Sequence, residues 1–281
     1  MILRLKMLKP FLIEWGSRME KFFFKKKFGQ NFITDENLLN SIADDAGVSG
    51  ENVLEIGAGA GALTTVLCRI AKKVMSVEID SSLKPVLNEN LQEFSNLNLV
   101  FGDILKIDVN IIKSYFNDEP ILVVANLPYY ISTPILFWLI KSGLKIKSVT
   151  VMLQKELAER ICASPNTKEY GSISVVIALW GKASITRIVK RNMFYPQPEV
   201  DSAILHIKIV ESDIDLLNVA NVVKFCFAMR RKTLVNNLMA GANITRGRAE
   251  GILEKLNLDK SIRAEALTKE NYIALSKELN N

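Results

Sequence analysis

Gly57-Ala58-Gly59-Ala60-Gly61, Glu78, Asp103 and Asn126 are the positions whose types and spacing could do chemistry. Glycines let a backbone approach a ligand closely, and Glu78, 21 positions beyond Gly57 (78 − 57 = 21), suits an acid that accepts both hydroxyls of a ribose. Taken alone, a glycine turn followed by an acid serves nicotinamide, flavin and S-adenosylmethionine folds alike. Glycines that merely permit a tight turn, with an acid that caps a helix, would read the same way. The glycines here are spaced two and two, unlike the G-x-G-x-x-G fingerprint that cradles a pyrophosphate, and S-adenosylmethionine has no phosphate to cradle. Glu55 adds a carboxylate just before the turn, near where a cationic methionine moiety would lie. Asp103 is placed to accept a hydrogen bond from an adenine amino group.

These positions fall at the ends of apolar runs. Asn52 to Ile56 reads as a strand that ends at the glycine turn, and Ala62 to Ala71 then carries Leu63, Val66, Leu67 and Ile70 at helical spacing. Val74 to Val77 ends at Glu78, Leu97 to Phe101 ends at Asp103, and Ile121 to Ala125 ends at Asn126. Asp80 reads as a helix cap before Leu83, Val86, Leu87 and Leu91, and Thr133 and Pro134 as the cap and first residue of another helix. Apolar strands alternating with helices describe a parallel sheet covered on both faces, and ligands of such sheets bind beyond the carboxyl ends of the strands. Ser148 to Leu153 continues the series, and Ala183 to Val189 with Val200 to Ile209 read as an antiparallel pair at the sheet edge. Beyond Val210 the strand signal stops and short helices follow, among them Val219 to Asn237 and Arg248 to Leu256. The expected division is an extension over 1–24, a catalytic domain over 25–210 and a small helical domain over 211–281.

Asn126-Leu127-Pro128-Tyr129 resembles the Asn-Leu-Pro-Tyr or Asn-Pro-Pro-Tyr signature of methyltransferases acting on exocyclic amino groups of nucleobases. Further blocks are similar to the KsgA-type small-subunit rRNA adenine dimethyltransferases. They are Lys26-Lys27-Phe28-Gly29-Gln30-Asn31-Phe32-Ile33, Asn126 to Thr133, Leu153-Gln154-Lys155-Glu156, Tyr170-Gly171-Ser172 and Phe194 to Ala203. The resemblance runs from about Lys25 to the end; Ala58 stands where many relatives have proline, and 1–24 finds no counterpart. It implies an α/β fold, a Rossmann-like doubly wound S-adenosylmethionine-dependent methyltransferase domain followed by a small all-α C-terminal domain.

The same resemblance assigns roles. Asn31, Ile33, Gly57, Glu78, Asp103 and Asn126 would contact S-adenosyl-L-methionine. The Asn126 side chain and the Leu127 carbonyl would accept the two amino hydrogens of a flipped adenine, with Pro128 fixing the turn. Tyr129 and Phe194 would stack on opposite faces of the base. An adenine amino nitrogen is a poor nucleophile because its lone pair is delocalised into the ring, so acceptors that orient it supply the needed help without a general base of unusual pKa. The implied reaction places two methyl groups on each of two adjacent adenines near the 3′ end of small-subunit rRNA, within an assembling 30S-type particle.

Composition is compatible with that partner. Lys and Arg outnumber Asp and Glu by 36 to 30, and the chain is 49% hydrophobic and 23% charged, as globular chains are. Lys25, Lys26 and Lys27 are interleaved with phenylalanines, and Arg230, Arg231 and Lys232 lie in the helical domain; both runs are candidates for RNA contact, against the plainer reading of solvated charge. Arg187, Lys190 and Arg191 either flank the entrance to the site or decorate a strand end. The three cysteines, Cys68, Cys162 and Cys226, are scattered, and His206 is the sole histidine and reads as a strand residue, so a disulfide frame, a zinc knuckle and a metal site are not expected. No apolar stretch approaches the roughly 18 to 20 residues that cross a bilayer. A cytoplasmic, monomeric enzyme is the expectation. The readings that compete with it are an Erm-like large-subunit methyltransferase, a ribosome-assembly factor with little catalysis, and a nicotinamide dehydrogenase.

Overall fold

The computed structural model describes residues 11–15, 18–22, 32–33 and 35–280. Near the start, β1 (Phe11–Trp15) and β2 (Arg18–Phe22) pair as an antiparallel hairpin within the segment that sequence reading treats as an extension. The two-residue strand β3 (Phe32–Ile33) then leads into α1 (Glu36–Ala46), whose N-cap Asp35 accepts the Leu38 N–H at 3.0 Å and whose C-cap Gly47 is left-handed at φ 68°.

The alternating run that follows builds the sheet: β4 (Asn52–Ile56), α2 (Ala62–Ile70), β5 (Lys73–Glu78), α3 (Lys84–Leu91), β6 (Leu97–Phe101), α4 (Val109–Tyr115), β7 (Ile121–Asn126), α5 (Ser132–Lys141) and β8 (Ile146–Gln154). After α6 (Lys155–Ile161) and α7 (Ser172–Trp180) come β9 (Gly181–Val189), the short β10 (Phe194–Tyr195) and β11 (Ser202–Ile209). Seven strands make the sheet in the order β6-β5-β4-β7-β8-β11-β9. The first five are parallel and β11 runs antiparallel to both β8 and β9, as the edge-pair expectation required. The expected α/β fold is therefore what the chain adopts.

Alternation along each strand sorts side chains between two cores. Leu54, Ile56, Val123 and Val151 face α4, α5, α6 and α7, whereas Val53, Leu122, Val124 and Met152 face α1 and α2. Burial on both faces is why these strands read as nearly unbroken apolar runs. The chain reverses order at β4, and the carboxyl ends of β4, β5 and β7, with Gly57, Glu78 and Asn126, lie side by side at one end of the sheet.

Four helices complete the chain: α8 (Leu216–Cys226), α9 (Leu234–Gly241), α10 (Arg246–Lys255) and α11 (Lys269–Asn280). The single helix expected over Val219 to Asn237 is two helices, and the reason is local. Asn237, only 1% exposed, accepts the Met229 N–H at 2.9 Å and donates to the Met229 carbonyl at 3.2 Å, holding 227–233 as a turn. Apolar periodicity runs through such a turn without registering it. The core of these helices reaches back to Tyr170, Val175, Val176 and Leu179 beside α7, and the Tyr170 hydroxyl donates to the Leu267 carbonyl at 2.8 Å.

Candidate active site

The glycine turn after β4 is bent so that side chains would obstruct it. Gly57 and Gly59 sit at φ 88° and 57°, where L-residues are strained. A Cβ on Gly59 would stand 3.1 Å from the Phe32 ring. The turn is tied to the end of β5: the Gly57 N–H donates to the Val77 carbonyl, and the Gly59 N–H to Oε2 of Glu78, both at 2.8 Å. Oε1 of Glu78 accepts the Asp80 N–H, also at 2.8 Å. Glu78 is thus a buried carboxylate, 4% exposed, anchored through both oxygens. Burial pushes its pKa up while the backbone N–H groups pull it down.

Glu78 and the turn form one side of an open cleft. Phe32, Ile33 and Leu39 form another side, and Asn126, Leu127, Pro128 and Tyr129 close it from the end of β7. The two walls approach closely enough that a Cβ added at Gly57 would meet the Asn126 carbonyl oxygen at 3.7 Å. A second compartment shares Gly57, Ile79 and Pro128 with the first, and Asp103, Tyr130 and Ile131 line it. Asp103 is partly occupied by its own turn: Oδ1 accepts the Leu105 N–H at 3.1 Å and Oδ2 lies 3.6 Å from the Lys106 ammonium.

The wall at 126–129 is built from backbone as much as from side chains. Leu127 is buried to 1% and its N–H donates to the Met152 carbonyl at 3.0 Å, fixing the segment to β8. The Pro128 carbonyl accepts from the Ile131 N–H at 3.1 Å and the Ser132 hydroxyl at 3.0 Å, which makes a closed turn. Tyr129 is half-buried; its hydroxyl lies 2.7 Å from that of Ser202, and burial pushes its pKa up.

Of the residues singled out by sequence, Ile33, Gly57, Glu78 and 126–129 line this cleft and Asp103 its neighbouring compartment. Phe194 does not. It is 5% exposed and packs in the core that holds α1, while β10 pairs it with Ile33 of β3. Its neighbour Tyr195 is 42% exposed. Asn31, Lys25, Lys26 and Lys27 lie outside the described residues.

Glu55 needs a correction. The sequence reading sets it near a bound cation, but alternation turns it into the interior beneath α2, where it is 0% exposed. Its Oε2 accepts the Thr64 hydroxyl at 2.7 Å and the Ser76 hydroxyl at 2.5 Å, and its Oε1 has no partner. Burial drives its pKa up to about 7. The cluster at Arg187, Lys190 and Arg191 is held by its own chain. Arg187 grips Asp45 of α1 through two nitrogens at 2.9 and 3.1 Å, and Asp201 takes the Lys190 ammonium and the Arg191 N–H, both at 3.0 Å. His206 lies 2.9 Å from the Thr150 hydroxyl through Nδ1, inside the sheet.

The basic triplet sits on the turn between α8 and α9. Arg230 is spent on the Lys168 carbonyl at 2.6 Å and Glu265 at 3.4 Å, while Arg231 and Lys232 are exposed. Sequence reasoning passed over Leu39 and Ile79, which line the cleft as ordinary apolar residues and carry no signal of their own, and gave no role to Phe32, though it stands inside the Lys26 to Ile33 block. It also passed over Ser202, though that residue stands inside the Phe194 to Ala203 block. Among the described residues, no group of histidine, cysteine and acids could hold a metal, and no helix is long and apolar enough to cross a membrane.

Comparisons with known proteins agree with this geometry. Residues 21–281 match the family model described as ribosomal RNA adenine dimethylase. Ribosomal RNA small subunit methyltransferase A of Streptococcus sanguinis strain SK36 is 45% identical over 272 residues, covering 92% of this chain and 93% of that protein. The protein of the same name from Lactococcus lactis subsp. lactis strain IL1403 is 46% identical over 272 residues, covering 93% and 92%. Among solved structures, a dimethyladenosine transferase from Plasmodium falciparum superposes with a TM-score of 0.77 at 27% identity, covering 89% of this chain and 97% of that one. The 23S rRNA methyltransferase ErmE superposes with a TM-score of 0.66 at 26% identity, covering 89% and 100%.

Proposed function

This chain belongs to the ribosomal RNA adenine dimethylase family, and we propose that it transfers methyl groups to the exocyclic N6 of two adjacent adenosines near the 3′ end of small-subunit rRNA. S-adenosyl-L-methionine is the methyl donor in this reading. The cleft suits it: a turn that carries no side chain larger than a methyl group, a buried carboxylate anchored beside it, and a second compartment lined in part by an acid. Glu78 would take the ribose hydroxyls, Gly57 and Ile33 the methionine part, and Asp103 the adenine amino group. Asn31 would join them from outside the described residues. The donor supplies an electrophilic methyl group on a positively charged sulfur.

The chain's own residues then deal with the nucleophile. Asn126 and the Leu127 carbonyl orient the target amino group, so that its lone pair points along the line of transfer. Pro128 holds the two acceptors in register, and Tyr129 offers a flat face to the unstacked base, a contact of roughly 1–3 kcal/mol in comparable settings. An acceptor-lined wall also favours the positive charge that grows on nitrogen. The observation that carries the reading is that the glycine turn, Glu78 and Asn126 to Tyr129 line one cleft. The amine-orienting residues therefore stand beside the turn and the buried carboxylate.

Residues 25–210 would hold the reaction, and 211–281 would meet the ribosomal particle, with Arg231 and Lys232 at phosphates and Arg230 bracing their turn. Lys25, Lys26 and Lys27 would extend the contact. We place the enzyme in the cytoplasm, working as a monomer on an assembling 30S-type particle. The Erm-like alternative shares the fold, but the small-subunit relatives are 45–46% identical where ErmE is 26% identical.

The test is radiolabelled methyl transfer to unmethylated small subunits and to large subunits, with the modified positions mapped. Paired dimethyladenosines confined to the small subunit are expected, and Asn126→Ala should abolish labelling while particle binding persists. Labelling of the large subunit alone would overturn the proposal.

A further inference from the structure

The hydroxyls of Tyr129 and Ser202 share a hydrogen bond 2.7 Å long across 73 positions of sequence. We propose that Ser202 is a positioning residue that fixes the Tyr129 ring as a wall of the cleft, and that this fixing matters more for the second methyl transfer to an adenine than for the first. The proposal rests on the dimethylation reading given above and deepens it.

Ser202 is a rigid post. It is 0% exposed, it opens β11, and it stands opposite Gln154 of β8 and Val189 of β9, so strands flank it on both sides. The residue before it is fastened three times over. The Asp201 carbonyl accepts the Lys155 N–H at 3.0 Å, and its carboxylate takes the Lys190 ammonium and the Arg191 N–H. The bonds from the Lys190 ammonium and the Arg191 N–H hold that carboxylate's pKa below its ordinary value.

Tyr129 lies outside the sheet. It begins a 3₁₀ turn over Tyr129–Ile131 that runs straight into α5, half-buried in the lining of the cleft. Bonding the far end of the ring to Ser202 fixes the direction in which the side chain points. A ring held in one position keeps its stacking face ready for a base, with the ordering cost met during folding and not during binding.

The two methyl transfers make unequal demands on that wall. An unmethylated adenine amino group has two hydrogens for the acceptors at Asn126 and Leu127. After the first transfer one hydrogen remains, and a methyl group occupies the other direction. Hydrogen-bond control of the nitrogen is therefore halved while the stacking face is unchanged, so the fixed ring carries a larger share of the orientation in the second step.

The experiment follows methylation of unmethylated small subunits over time with the full-length enzyme, and measures monomethyladenosine and dimethyladenosine by mass spectrometry after digestion. The wild type should show monomethyladenosine only as a brief intermediate. Ser202→Ala should slow the second transfer by about tenfold and the first by about two- to threefold, so that monomethyladenosine accumulates. Tyr129→Phe, which keeps the ring and deletes the other partner of the bond, should give the same product ratio, and the double variant should be no worse than either. Equilibrium binding of S-adenosylhomocysteine should match the wild type in all three. Wild-type product ratios in Ser202→Ala, equal slowing of both steps, or additive effects in the double variant would each overturn the proposal. If Ser202→Ala fails to fold, Tyr129→Phe alone decides it by the same ratio. A wild type that leaves small-subunit adenines unmethylated would instead sink the parent reading, which separates the two failures.

Discussion

Replacing Glu55 with glutamine should make the protein more stable in mild base and leave it little changed in mild acid. Glu55 is fully buried, one oxygen receives two hydroxyls and the other has no partner. Its pKa is raised from 4.5 to about 7 in the folded chain, mainly by burial and in smaller part by the nearby Glu78 charge. The sign follows from where the proton sits. Below pH 4.5 both the folded and the unfolded chain carry it. As pH rises from there to about 7 the unfolded chain loses its proton first, so stability falls; above that range both forms are ionised and the loss is complete.

The interval of 2.5 pH units (7 − 4.5) at about 1.4 kcal/mol each gives a loss on the order of 3 kcal/mol. Glutamine copies the protonated carboxyl in shape, keeps an oxygen for Thr64 and Ser76, and does not titrate. Urea unfolding at pH 5 and pH 8 is the assay. The stability advantage of Glu55→Gln should grow by about 2–3 kcal/mol between the two. Wild-type and variant stabilities that run parallel across this range would refute the reasoning, because they would mean that Glu55 holds the same protonation state in both forms of the chain.

Two further outcomes follow from the same geometry. Glu78→Gln keeps the side chain's size but offers only one acceptor to two N–H donors, from Gly59 and Asp80, so the glycine turn should loosen. Calorimetric titration with S-adenosylhomocysteine should show affinity reduced by at least about tenfold, equivalent to about 1.4 kcal/mol. Asn237→Ala strips both partners from the Met229 backbone in a nearly closed interior. It should cost roughly 1–3 kcal/mol in urea unfolding and weaken particle binding through the Arg231 and Lys232 turn, with the rate of methyl transfer to bound particles little changed.

Much of the site was legible because it is made of local exceptions. Glycines at alternate positions, acids closing apolar runs and a proline following asparagine break the strand and helix patterns at the points where a doubly wound sheet binds ligands. Those breaks located Gly57, Glu78, Asp103 and Asn126 without any knowledge of contacts. The split of the expected helix at 227–233 was not legible, since it depends on a buried Asn237 reaching back eight residues, and an asparagine in an amphipathic run looks like a surface residue. Phe194 shows a different limit. Its type suits base stacking, yet pairing with β3 and burial to 5% put it in the core.

The succession of the parallel strands from β4 to β8 and the strand ends that line the cleft were set by periodicity and by residue type, both of which are properties of neighbours along the chain. Only the tertiary structure decided that Glu55 lies under α2 and away from the cleft, that Arg187 is committed to Asp45, and that Tyr129 is bonded to Ser202. Each of these joins residues that are remote in sequence or turns on which face of the sheet a helix covers. Alternation says that a side chain points up or down, and packing alone says what it meets there.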